Sequence, residues 1–310
     1  MQTPAWLARF APLDAARAHR VQADGAELCV LELPGDGRGD GPCAVLVHGF
    51  PDTPASLAPL AGRLRARGWR VLLPVLRGYA PSTPVTVRDA GVDRLGADVL
   101  AVCDALDARD ALLVGHDWGA ISVMSAAVQA PERALHLVAL AVPPIAAFVR
   151  NSARHPRQLV RSAYIARFQR PGAVRRELLR DDLALVDALW RRWSPGLPSA
   201  DAAPYIEATK EALRLPAHAR AALALYRAFV PRSAAWPAAA KVAFASVPAT
   251  VTLVAGADDG CIGPDIFDGA ARHVAGPCAV HVAAGAGHWI HLEQLDAVEQ
   301  IVVSAESARG

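Results

Sequence analysis

Lysine is almost absent from this chain of 310 residues, with only Lys210 and Lys241 beside a large excess of arginine. With the abundance of alanine, that bias points to a GC-rich bacterial genome. The five cysteines (Cys29, Cys43, Cys103, Cys261 and Cys278) are odd in number and form no C-x-x-C pair. This argues against a disulfide framework or a zinc site and for reduced thiols in a cytoplasm. No apolar run is long enough and free enough of charge to span a bilayer. The N-terminus, Met1-Gln2-Thr3-Pro4-Ala5-Trp6, lacks the basic-then-apolar order of a secretory signal. A cytoplasmic protein without a membrane partner is therefore expected. The net charge is only +2, and no basic stripe carries interleaved aromatics, which excludes a nucleic-acid binder.

What is present is apolar: 53% of residues are hydrophobic, enough for a sizeable core, and the length suits two average domains or one large α/β domain with an insertion. Residues 4–18 have the spacing of a short amphipathic helix. A hairpin follows, Arg20–Ala23 and Glu27–Glu32 across Asp24-Gly25. The loop Gly35–Gly41, with its Arg38-Gly39-Asp40, lacks the Gly-Lys-Ser/Thr of a phosphate loop and is read as surface. Strand and helix then alternate: strand Cys43–Val47, helix Ala55–Arg67, strand Trp69–Val75, helix Val87–Leu106, strand Ala111–Val114, strand Ala134–Val142. This alternation predicts a doubly wound, mostly parallel sheet. Pro143-Pro144 breaks it, and only helical patterns follow to about Pro237. The sheet resumes at Ala249–Ala255 and Cys278–Ala283, and a last helix spans His291–Ser304. The expected organisation is an α/β core, residues 1–142 and 237–310, with a helical cap, residues 143–236, over the carboxyl ends of the strands.

The chemistry centres on Gly115-His116-Asp117-Trp118-Gly119-Ala120, between a short buried strand and an alanine-rich helix. Gly-x-nucleophile-x-Gly in that setting is a nucleophile elbow. Here the nucleophile is aspartate, which is ionised near neutral pH and suited to displacement at a saturated carbon with a good or strained leaving group. The resulting alkyl ester needs a base for its hydrolysis. His288, in Gly285-Ala286-Gly287-His288-Trp289 after the final strand, fits the expected chain order. His116, beside the nucleophile, is expected to point away. The orienting acid comes from Gly256-Ala257-Asp258-Asp259-Gly260, with Asp259 preferred and Asp258 as the alternative. The backbone N–H groups of Phe50 and Trp118 are candidate oxyanion donors. His48, Trp118 and Trp289 are candidates for the pocket.

His48-Gly49-Phe50-Pro51, Arg77-Gly78-Tyr79, Gly115–Ala120 and Gly287-His288 resemble the epoxide hydrolases of the α/β-hydrolase superfamily from His48 to Trp289. Several of these motifs are shared with haloalkane dehalogenases. The resemblance implies two cap tyrosines that hydrogen-bond and protonate the epoxide oxygen. Phe168-Gln169-Arg170-Pro171-Gly172 resembles the family's segment and places Tyr164 first, and Tyr226-Arg227 resembles the second. The other tyrosines, Tyr79 and Tyr205, are read as packing or pocket wall, and Arg175 and Arg176 as a solvated face. The implied function is a cofactor-free, metal-free conversion of a small-molecule epoxide and water to a vicinal diol. Haloalkane dehalogenase is the alternative enzyme, and a non-catalytic small-molecule-binding protein on the same scaffold is the alternative of another class. A homo-oligomer is compatible with the sequence.

Overall fold

A computed structural model describes residues 2–35, 41–133, 135–170, 172 and 174–308. The loop reading at Arg38-Gly39-Asp40 and the first residue of the expected strand at Ala134 lie outside the described residues. One eight-stranded sheet organises the molecule in the order β1-β2-β4-β3-β5-β6-β7-β8. Its strands are β1 (Arg17–Ala23), β2 (Ala26–Leu33), β3 (Cys43–Val47), β4 (Arg70–Pro74), β5 (Leu112–His116), β6 (His136–Leu140), β7 (Thr250–Gly256) and β8 (Cys278–Ala283). β1–β2 and β2–β4 pair antiparallel, and every other neighbouring pair is parallel. The central strand β3 is apolar throughout, and β5 and β6 are apolar apart from the histidines at their ends, because helices cover both faces. This is the doubly wound, mostly parallel sheet that the alternation predicts, and it fits the α/β-hydrolase fold that the resemblance implies.

The helices outside the insertion are α1 (Ala5–Ala8), α2 (Pro54–Ala66), α3 (Val92–Ala105) and α4 (Trp118–Gln129). Between β6 and β7 come α5 (Ile145–Ser152), α6 (Pro156–Arg161), α7 (Ala163–Phe168), α8 (Ala184–Trp193), α9 (Ser199–Leu213), α10 (Pro216–Ala228) and α11 (Trp236–Ala243). The chain closes with α12 (Ile290–Glu293) and α13 (Leu295–Ser307). Thr53 caps α2, its hydroxyl accepting from the Ala55 N–H at 3.3 Å, with Pro54 at the first helical position.

Three expected helices differ from the observed ones. Residues 4–18 form only the single turn α1 and a 3₁₀ turn at Leu13–Ala15, after which β1 begins at Arg17. Pro12 has no N–H to continue a helix, and Leu7 and Leu13 are buried without one. Residues 87–106 begin with a separate 3₁₀ turn at Val87–Asp89, and α3 starts only after Gly91. The C-terminal helix is divided at Gln294, whose backbone leaves the helical region at φ −132°, ψ 50°. In each case the apolar spacing runs through a backbone interruption that periodicity does not register.

A fully buried Arg77 ties the loop after β4 to the core. Its guanidinium donates to both carboxylate oxygens of Asp98 on α3, at 2.6 and 2.5 Å, and to the Asp89 and Asp24 carbonyls at 2.8 and 3.2 Å. Burial pushes the Asp98 carboxyl up while the guanidinium pulls it down, leaving it above the usual range. Such a pair adds little net stability, but losing one partner would strand a buried charge. The Arg77-Gly78-Tyr79 motif is thus a structural brace as well as a resemblance.

Candidate active site

Asp117 sits at the turn between β5 and α4 with φ 53° and ψ −117°, a strained conformation for a residue with a side chain. The turn needs glycine on either side. A Cβ on Gly115 would overlap the Gly119 carbonyl, and one on Gly119 would overlap the Val47 carbonyl of β3. Gly49 is equally constrained, since a Cβ there would overlap the Asp117 side chain. The close packing of strand, helix and β3 loop thrusts the Asp117 carboxylate out at the carboxyl end of the sheet.

The two oxygens of that carboxylate have different surroundings. Oδ1 accepts the Phe50 N–H at 2.7 Å. Oδ2 faces His288 Nε2 at 3.7 Å. Trp118 is the first residue of α4, where a helix leaves its N–H groups without intrahelical partners. Of the two sequence-derived backbone donors, the Phe50 N–H meets the carboxylate, and the Trp118 N–H belongs to the first turn of α4.

His288 is fully buried, and its Nδ1–H donates to Asp259 Oδ2 at 2.9 Å. Asp259 Oδ1 accepts the N–H groups of Cys261 and Ile262 at 2.6 and 2.9 Å, which fixes the carboxylate plane. Asp258 is solvent-exposed and makes no side-chain contact with the histidine among the described residues. The structure thus brings together Asp117, His288 and Asp259, as the order of the motifs suggested. Helix α8 clamps the same loops: the Trp193 carbonyl accepts both the Gly260 and His288 N–H groups at 3.0 Å. Burial alone would lower the His288 pKa, but the Asp259 and Asp117 carboxylates outweigh it and push it up to about 10. The imidazole therefore holds both its protons at neutral pH.

Tyr164 on α7 and Tyr226 on α10 stand over this centre, with their rings 5.7 Å apart. The Tyr226 ring is boxed edge-on by Phe50, Trp118 and Phe168 at 5.2, 5.1 and 5.2 Å. Its hydroxyl is buried without a well-formed hydrogen bond, although the Trp118 side chain approaches it. The Tyr164 hydroxyl lies 3.7 Å from Cys261 Sγ. Burial, above all, raises both phenols well above their ordinary value, so both stay protonated donors. A cavity of about 90 Å³ opens between them, floored by Asp117 and Trp118. Its walls are apolar, with Ile121, Val142, Ile145, Phe148, Phe229 and Ile262 among them. Sequence reasoning missed these wall residues and Cys261. Helical spacing marks an apolar residue as inward-facing but not as facing a cavity rather than the core.

Two pocket candidates lie elsewhere. His48 is buried beneath the loop, its Nδ1 3.0 Å from the Gly49 carbonyl and its Nε2 accepting the Leu76 N–H at 3.1 Å. Burial chiefly lowers its pKa to about 4, so it acts as a neutral brace. Trp289 is turned away from the cavity into a stack on Trp190, ring centres 3.7 Å apart. Its ring touches His288 edge-on at 5.2 Å but packs among Trp190 and Trp193 rather than lining the cavity. Tyr205 packs between Phe10 and Trp190, and Tyr79 is buried against His48.

His116 points out of the cavity as expected. Its Nε2–H donates to the His288 carbonyl at 3.0 Å, and its Nδ1 lies 3.3 Å from Asp52 Oδ2. Asp52, His116 and His291 are the one group among the described residues whose donor atoms converge closely enough to suggest a cation site. The Thr53 N–H and Ser56 hydroxyl occupy the Asp52 oxygens, and Ser56 also meets His291 Nε2 at 3.1 Å. This set is better described as a buried hydrogen-bonded seam between the loops.

The sequence pattern of the "Alpha/beta hydrolase family" matches residues 44–301. Epoxide hydrolase A of Mycobacterium tuberculosis is 30% identical over 310 residues, covering 88% of this chain and 92% of that protein. The AB hydrolase superfamily protein YfhM of Bacillus subtilis is 29% identical over 294 residues, with 94% and 98% covered. The crystal structure of Epoxide Hydrolase A from Mycobacterium thermoresistibile superposes with a TM-score of 0.77 at 25% identity, covering 94% of this chain and 98% of that one. The chain belongs to the α/β-hydrolase superfamily and, within it, to the epoxide hydrolase family.

Proposed function

We propose that this hydrolase converts a small epoxide to a vicinal diol through an ester on Asp117. The reading rests above all on the two protonated tyrosines set over a carboxylate in an apolar cavity, an arrangement matched to opening a strained C–O bond. Asp117 Oδ2 attacks an epoxide carbon, and the C–O bond to the ring oxygen breaks. Tyr164 and Tyr226 donate hydrogen bonds to that oxygen as it becomes an alkoxide and supply its proton. Ester formation removes the Asp117 charge that held the His288 proton. That proton passes to the phenolate left by ring opening, and the now neutral imidazole, oriented by Asp259, takes a proton from water as it attacks the ester carbonyl. The Phe50 and Trp118 N–H groups receive the developing oxyanion. Hydrolysis restores Asp117 and releases the diol. No step calls on a metal or cofactor.

In this reading residues 143–236 are the cap that supplies the tyrosines, and residues 1–142 and 237–310 the core that supplies the triad. Asp259 rather than Asp258 is the acid. Trp118 lines the pocket, whereas His48 and Trp289 support it from below.

The test is a panel of styrene oxide, short alkyl epoxides and haloalkanes, scored for diol and for halide. Diol from epoxides is expected. Tyr164→Phe and Tyr226→Phe should each slow ester formation by roughly tenfold to a hundredfold, and the double variant by about a thousandfold. Haloalkane turnover that survives the double change, with halide released, would favour a dehalogenase. Binding of an epoxide without any turnover would mark a non-catalytic scaffold.

A further inference from the structure

Charge is distributed very unevenly along this chain. Residues 145–180 contain nine arginines and one acidic residue, Glu177, which leaves the remainder of the chain net acidic. Arg167 is paired with Glu177, and Arg180 with Asp181. Arg150, Arg154, Arg157 and Arg161 make no ion pair among the described residues, and the first three are exposed. On the same stretch Val149, Leu159 and Val160 are 46%, 57% and 67% exposed, large values for aliphatic side chains. In α6 only Gln158 is buried, anchored by its amide to the Cys261 carbonyl at 2.8 Å and to the Gly263 N–H at 3.1 Å. The rest of that helix stands proud of the surface.

Beside α6 is an open groove of about 480 Å³, lined by His155, Arg157, Gln158 and Arg161 on one wall and Pro264 and Asp265 on the other. The Asp265 carboxylate, 3.9 Å from His155 Nδ1, is the acidic group on that rim. The exposed Asp268 lies on the adjoining turn. Neither balances the arginines.

We propose that the α5–α6 rim docks on the surface of anionic phospholipid bilayers. Headgroup phosphates meet Arg150, Arg154, Arg157 and the groove, while Leu159 and Val160 enter the boundary between headgroups and acyl chains. A second copy of the chain meeting it through the same face would oppose arginine to arginine. A nucleic acid would satisfy the charge but leave the aliphatic pair unused, because the exposed large hydrophobic side chains of the rim, Val149, Leu159 and Val160, are aliphatic and offer bases no stacking face. Only a bilayer offers phosphate and hydrocarbon within one side chain's length. Ser162 and Ile165 follow α6 directly in the chain and line the cavity. The rim lies outside the residues that carry the proposed chemistry, so docking stands or falls separately from it.

The test is co-sedimentation of the full chain with vesicles of phosphatidylcholine alone or of phosphatidylcholine and phosphatidylglycerol in equal parts. Pelleting only with the anionic vesicles, abolished by molar salt, is expected. Arg154→Glu with Arg157→Glu should weaken it at least roughly tenfold. Leu159→Ser with Val160→Ser should weaken it several-fold while leaving the salt response intact. All four positions are exposed, and an unchanged unfolding midpoint confirms that each variant is folded. Equal pelleting with both vesicle types, pelleting with neither, or wild-type strength in the arginine variant would overturn the proposal. Competition by a single-stranded oligonucleotide that leaves the aliphatic variant unaffected would also overturn it, in favour of a nucleic-acid partner.

Discussion

Asp117→Asn is expected to lower diol formation by at least about 10⁴-fold, because no other group on the cavity floor can form the ester. The substitution is nearly isosteric. The side-chain oxygen can still accept the Phe50 N–H, so the elbow should hold its shape. What disappears is the charge 3.7 Å from His288 Nε2. The His288 pKa should therefore fall from about 10, because one of the two carboxylates that raise it against burial is gone. The direction matters for pH dependence. A histidine raised above its ordinary value contributes stability that is fully present below about 6.5 and is lost as pH rises through about 10. The variant should lose that stability at a lower pH than wild type. Imidazole resonances followed by NMR, alongside unfolding at several pH values, read both effects. An unchanged His288 titration would show that Asp117 and the imidazole are not coupled as their separation implies.

His288→Gln should separate the two steps. Ester formation needs the carboxylate and the tyrosines, all of which remain. Ester hydrolysis needs a base, and glutamine is not one. Steady-state diol formation should drop by several orders of magnitude, while the first turnover proceeds and stalls as a covalent adduct. Mass spectrometry of the intact chain would show one substrate mass added, and proteolysis would place it on Asp117. Asp259→Asn should act on the same step more mildly, since it misorients the imidazole without removing it. A His288→Gln protein that neither turns over nor accumulates an adduct would place the histidine in the first step instead.

Much of the arrangement was legible before any coordinates. Glycines 115 and 119 mark the elbow because only the absence of a Cβ lets β5, α4 and β3 approach so closely. The triad partners follow from chain order, as each terminates a strand of a doubly wound sheet whose order is constrained. Asp259 stood above Asp258, and the structure buries the former against the imidazole while leaving the latter in solvent. The errors share a physical origin. Nearness to active residues in the chain marks Trp289 and His48 as pocket candidates, whereas the structure stacks Trp289 on Trp190 and braces His48 against Gly49 and Leu76. Which neighbours a ring packs on is set by the surrounding elements: Trp289 stacks on Trp190 although it also touches the His288 ring. The N-terminal helix failed because amphipathic spacing does not reveal a backbone that Pro12 interrupts. The cavity wall was illegible for another reason. Val142, Phe148 and Phe229 come from elements whose mutual packing decides what each one faces, and no local pattern encodes that.

Charge segregation was the least visible feature from composition. A net charge of +2 suggests an unremarkable surface, and only the placement of nine arginines within residues 145–180 shows otherwise. No helix among the described residues is long and apolar enough to cross a membrane. Surface docking needs none, because it draws on headgroup attraction and shallow burial rather than on a span.

The central claim is that substrate is first bonded to the enzyme and that water then attacks Asp117 rather than the substrate. A single turnover in water enriched with heavy oxygen, with enzyme in excess over styrene oxide, tests it directly. The account predicts that the heavy atom appears in the Asp117 carboxylate, found by mass analysis of the peptide containing it, and that the first diol formed carries none. Heavy oxygen in that first diol, with an unlabelled Asp117, would mean that water opens the ring itself and would contradict the account.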